Sequence, residues 1–186
     1  MKIKFLLFLS FFAYSYSLVA QENKLSTAAL ELTKNKVTYD SSYFSIPYPK
    51  GDVPEDKGVC TDVIIRAYRK LGVDLQQEVH KDMKANFSLY PKIWGLKNTD
   101  TNIDHRRVPN LMTFFKRKGT IKKTTKNPNN YLPGGGGLTH IGIVSSKKSP
   151  TNNQQYLIVH NIGAGQVLED CLFNFKIIGH YSYKNK

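Results

Sequence analysis

The sequence predicts an α+β domain in which N-terminal helices pack on an antiparallel sheet. Two observations carry this. Apolar residues recur at helical spacing as far as Gly119, and strand-like segments follow it. The 186 residues suit one domain, and no internal repeat or second domain is visible. With 40% hydrophobic and 12% aromatic residues the chain can bury a core, which excludes whole-chain disorder.

Residues 1–20 read as a cleaved export signal rather than as part of the fold. Lys2 and Lys4 precede the apolar run from Phe5 to Tyr14, and small residues offer cleavage after Ser17 or Ala20. Tyr14 to Ser17 interrupt the run, so a membrane span is not expected. No cysteine follows it, so neither is a lipid-modified N-terminus. The expected mature chain is a single domain, residues 21–186, periplasmic or secreted. Removing two lysines lowers the formal charge from +13 to +11, so the domain itself is basic. The lysines are scattered and no recognition motif appears, which argues against nucleic acid as the partner.

Leu25, Ala28, Ala29 and Leu32 predict a first helix over Lys24 to Lys34. A turn-rich loop follows, carrying Pro47, Pro49, Gly51, Pro54 and Gly58. The clearest helix runs from Cys60 to about Leu71, with Val63, Ile64, Ala67, Tyr68 and Leu71 on one stripe and Arg66 and Arg69 facing away. Gly72 supplies its stop. Gln76 to Met83 reads as a short third helix, with His80 and Asp82 on a solvated face. Pro109 to Lys118 is a fourth, with Pro109 at its first position and Gly119 at its stop. Strands are expected over His140 to Ser145, Tyr156 to His160 and Phe175 to Tyr183.

Cys60 opens a helix, where unpaired N–H groups and the dipole favour a thiolate and can hold an oxyanion. The same position also suits a small apolar cap residue, and in an exported protein Cys60 could instead pair with Cys171. A polar loop, Ser146 to Gln155, joins the His140 and His160 strands as a hairpin, which brings the two histidines within reach of each other. A base oriented by a second polar group is what a cysteine nucleophile requires. Arg106 and Arg107 could clamp a substrate carboxylate, or fix their loop through an Asp–Arg pair. The histidines and cysteines show no metal-ligand spacing, so no metal or other cofactor is expected.

Several motifs in order resemble one bacterial family, domain of unknown function 1287. They are Tyr48-Pro49-Lys50-Gly51-Asp52-Val53-Pro54, Gly58-Val59-Cys60-Thr61-Asp62-Val63, Asn102 to Leu111, His140-Ile141-Gly142-Ile143-Val144, Val159-His160-Asn161-Ile162-Gly163 and Gly179-His180-Tyr181. That family is similar in turn to NlpC-type cell-wall cysteine peptidases, which have a papain-like α+β fold. The resemblance implies Cys60 as nucleophile, His140 as general base and His160 as orienting residue. It implies hydrolysis of amide bonds in peptidoglycan stem peptides. Asp52, Arg106 and Arg107 then become candidate contacts to the carboxylates and amine of such a peptide. The alternative is a non-catalytic basic envelope protein that binds peptidoglycan or another anionic cell-envelope polymer. In related chains an apolar, tryptophan-bearing strand precedes the Gly-Leu-Thr-His motif. Here Tyr131-Leu132-Pro133-Gly134 runs straight into Gly135 to His140, which predicts a lost strand beside His140 and puts activity in question.

Overall fold

The computed structural model describes residues 23–127 and 140–184. The expected export signal and the Gly134–Gly137 interval lie outside the described residues.

Helix α1 covers residues 23–32 and buries Leu25, Ala28, Ala29 and Leu32, the four residues whose spacing predicts it. A two-residue parallel pair, β1 (Thr38–Tyr39) with β2 (Lys57–Gly58), closes the turn-rich loop. Helix α2 (Cys60–Lys70) follows at once. Its stop is a Schellman turn: the N–H of Val73 reaches the carbonyl of Tyr68, that of Gly72 reaches Arg69, and Gly72 has φ +80°.

Arg66 departs from the expected outward face. Its side chain is buried and donates to Asp52 and to the carbonyls of Val53, Pro54 and Lys57. One guanidinium thereby fastens the loop that leads into α2, through its Nε and Nη2 donors.

Helix α3 (Leu75–Ala85) is capped by Asp74, whose carboxylate accepts the N–H of Gln76. Asp82 is buried, not solvated as its helix face suggests, because Tyr90, Arg117 and Lys118 converge on it. Helix α4 (Val108–Lys118) begins one residue before Pro109. It ends at Gly119, where any Cβ would lie 2.6 Å from the carbonyl oxygen of Ser182, so close approach requires the glycine.

Among the described residues, two small antiparallel sheets complete the fold. Strand β3 (Thr120–Ile121) pairs with β7 (Tyr181–Ser182), and β4 (Ile143–Lys148), β5 (Tyr156–His160) and β6 (Val167–Glu169) form a second sheet in that order. The chain is therefore mixed α and β, with helices first and antiparallel strands after. The strand expected at His140 begins only at Ile143, leaving His140 just ahead of it. Of the strand expected over Phe175 to Tyr183, only Tyr181–Ser182 forms, and it joins the other sheet.

The core lies between α2 and the sheets. Val63, Ile64 and Ala67 meet Ile141, Ile143 and Val159, while Tyr68, Phe114, Phe115, Tyr181 and Tyr183 form an aromatic cluster. This packing seats the first turn of α2 against the residues that lead into β4. Among the described residues, no helix is long and apolar enough to cross a membrane.

Candidate functional site

Cys60 is the first residue of α2, and a buried ion pair holds that helix end in place. The Asp62 carboxylate accepts the Val59 N–H at 2.7 Å and takes both Nε (2.9 Å) and Nη2 (3.0 Å) of Arg106. Thr61 donates its hydroxyl to the carbonyl of Arg106. From the other side, Asn161 donates to the carbonyl of Gly58 and ties the end of β5 to the loop before Cys60. Three elements distant in sequence thus converge on one helix terminus.

The sulfur of Cys60 accepts backbone N–H groups from Ile141, Thr61 and Cys60 itself, which favour a thiolate. Burial outweighs them, and with Asp62 nearby the thiol is pushed above its ordinary value. The helix terminus alone predicts the opposite direction; packing against the sheet reverses it. Cys60 is only 8% exposed, and both Cys60 and Cys171 are free thiols, so the disulfide alternative does not form.

His140 and His160 do meet. Nε2 of His140 lies 2.7 Å from Nδ1 of His160, with the rings at 73°. Gly142 makes this possible, because a Cβ there would come within 2.6 Å of Ile158 and 3.2 Å of the His160 Cβ. Burial, then the neighbouring His160, push His140 down to about 4, against an opposing pull from Glu169. At neutral pH His140 is an uncharged imidazole able to accept a proton.

Glu169 extends the chain of groups, and sequence reasoning missed it. Its Oε2 lies 3.0 Å from Nε2 of His160. In the β5–β6 register Glu169 partners Ile158, which shares a face with His160. The signal was present: Gly163 and Gly165, both with positive φ, mark a turn between Val159-His160 and Val167-Leu168-Glu169.

A carboxylate only accepts, so it takes the Nε2–H of His160 and leaves Nδ1 as a lone pair. That lone pair takes the Nε2–H of His140, whose Nδ1 then carries the lone pair available to a proton. Cys171, which enters the sequence reading only as a possible disulfide partner of Cys60, places Sγ 3.6 Å from Nε2 of His160. Burial, then the charges of Glu169 and Asp170, push its thiol up to about 11.

The three expected substrate contacts are engaged elsewhere. Asp52 is bound by Arg66 at 3.1 Å and Arg69 at 2.6 Å, about two turns along α2 from Cys60. Arg106 is engaged by Asp62 of α2, with side chains only 2% and 3% exposed, an ion pair to another element that the sequence did not indicate. Arg107 lies 3.4 Å from Asp104 and stacks its guanidinium over Trp94 at 4.1 Å, partly open to solvent.

Residues 26–183 match the family described as Domain of unknown function (DUF1287), and the chain belongs to that family. It is also 50% identical over 152 residues to the protein named "Uncharacterized protein YijF" of Escherichia coli (strain K12), covering 78% of this chain and 73% of that one. No solved structure matches.

Proposed function

We propose that this protein is an exported cysteine hydrolase with a papain-like NlpC-type fold, cutting peptide amide bonds of peptidoglycan. The observation that carries this reading is the backbone bond from Ile141 to the Cys60 sulfur at the start of α2, which sets Cys60 beside the residue that follows His140, together with the His140–His160–Glu169 relay. Because Cys60 is held protonated and His140 neutral, the pair works by general-base catalysis rather than as a preformed ion pair. His140 takes the Cys60 proton as the sulfur attacks the carbonyl. Backbone N–H groups at the start of α2 hold the oxyanion. His160 and Glu169 keep His140 in the accepting tautomer, and water then releases the acyl-enzyme. The net charge of +11 left after removal of Lys2 and Lys4 from the full-chain +13 suits an acidic, carboxylate-bearing stem peptide.

The test is incubation of purified protein and its Cys60→Ala variant with muropeptides, followed by mass spectrometry. New fragments from the parent protein alone support the reading. Cleavage by both or by neither overturns it. Sacculus binding without cleavage supports the alternative of a non-catalytic, basic envelope protein.

A further inference from the structure

Three metal-ligating atoms lie together beside the histidine relay. Nε2 of His160 is 3.0 Å from Oε2 of Glu169 and 3.6 Å from Sγ of Cys171, and all three lie within 4.8 Å of one another. Strand register produces the cluster: β6 delivers Glu169 to the His160 face, and Cys171 follows two residues later. No local spacing motif announces it, which is why the sequence predicts no metal.

We propose that His160, Glu169 and Cys171 bind a zinc-class divalent cation, and that occupancy switches off the Cys60–His140 pair. The switching half rests on the hydrolase reading above; the binding half stands alone. Imidazole, carboxylate and thiolate form a mixed N/O/S set that zinc takes readily, with water as a fourth ligand. Bonds of about 2.0–2.3 Å at tetrahedral angles place ligand atoms about 3.3–3.7 Å apart. The 3.6 Å edge already fits. The 3.0 Å edge opens through Glu169, whose side chain is 44% exposed and able to shift. That exposure also gives the cation an entry path. His140 supplies the outer hydrogen bond that orients a metal-binding imidazole.

Binding reverses the relay without any redox change. The Cys171 thiol releases its proton to solvent. Nε2 of His160 gives its lone pair to the cation, so the His160 proton resides on Nδ1. That N–H now donates to Nε2 of His140, which moves the His140 proton to its own Nδ1. The nitrogen that would accept the Cys60 proton is then already protonated. Glu169 sets one direction of the relay, and the cation sets the other.

The test titrates zinc and cobalt(II) into the purified, metal-stripped protein, reading calorimetry and sulfur-to-cobalt charge-transfer absorption. One equivalent should bind, and the absorption should persist in Cys60→Ala and vanish in Cys171→Ala, with circular dichroism confirming that each variant is folded. Glu169→Gln should weaken binding at least tenfold. Absent binding, or absorption that follows Cys60 instead of Cys171, overturns the site. The switch is read by peptide-resolved alkylation of Cys60, which needs no substrate: zinc should slow it at least tenfold in the parent protein and not in Cys171→Ala. Zinc binding with unchanged Cys60 alkylation overturns the switch and leaves the site. Muropeptide cleavage that zinc does not inhibit overturns it as well.

Discussion

Nε2 of His140 and Nδ1 of His160 lie 2.7 Å apart, though 20 residues separate them, and the far nitrogen of His160 is held by Glu169 at 3.0 Å. The relay has a direction because its terminal member is a carboxylate and can only accept.

Glu169→Gln keeps a hydrogen-bond acceptor and removes the charge. Glu169 pulls the His140 value up, so its loss lowers that value further. For the proposed hydrolysis, the acid limb of kcat/KM should move to lower pH, and the rate at neutral pH should fall about tenfold, near 1.4 kcal/mol. A pH–rate profile in the presence of a chelator measures both. An unmoved limb would remove Glu169 from the relay.

Arg106→Leu strands the Asp62 carboxylate in a buried site and should cost about 3–5 kcal/mol of stability. Urea unfolding gives the value. Asp62→Asn combined with Arg106→Leu should lose less than the two single variants summed, because the unpaired buried charge is gone. Additive losses would mean that the pair is not coupled.

Acid should destabilise the fold before carboxylates titrate. Burial, with Arg106 and Arg69, pushes His105 down to about 3, whereas in the unfolded chain it protonates near 6.5. Between those values the unfolded chain binds more protons, so stability is full above pH 6.5 and falls as pH drops toward 3. Urea midpoints measured from pH 7 to pH 4 should decline, and His105→Gln should flatten the slope whatever its effect at pH 7.

Gly142→Ala places a methyl group 2.6 Å from Ile158 and 3.1 Å from the carbonyl of Val159. Strand β5 must shift, at a cost of about 1–3 kcal/mol. Because His160 ends that strand, the proposed hydrolysis should fall by more than stability alone explains. Activity normalised to folded protein tests this.

Local pattern determined the helices. Leu25, Ala28, Ala29 and Leu32 announced α1, and Val63, Ile64, Ala67 and Tyr68 announced α2 with Cys60 at its start, because a 3.6-residue period reports burial without any distant partner. The meeting of His140 and His160 was legible too, since a short hairpin constrains its own strands. Glu169 and Cys171 were not placed, nor was Arg106 as a buried partner of Asp62 across 44 residues. Those positions depend on the β5–β6 register and on which loop closes over the α2 terminus. Only the tertiary structure decided them. The direction of the Cys60 shift was decided in the same way: a helix terminus is a property of nearby sequence, but burial is a property of everything packed around it.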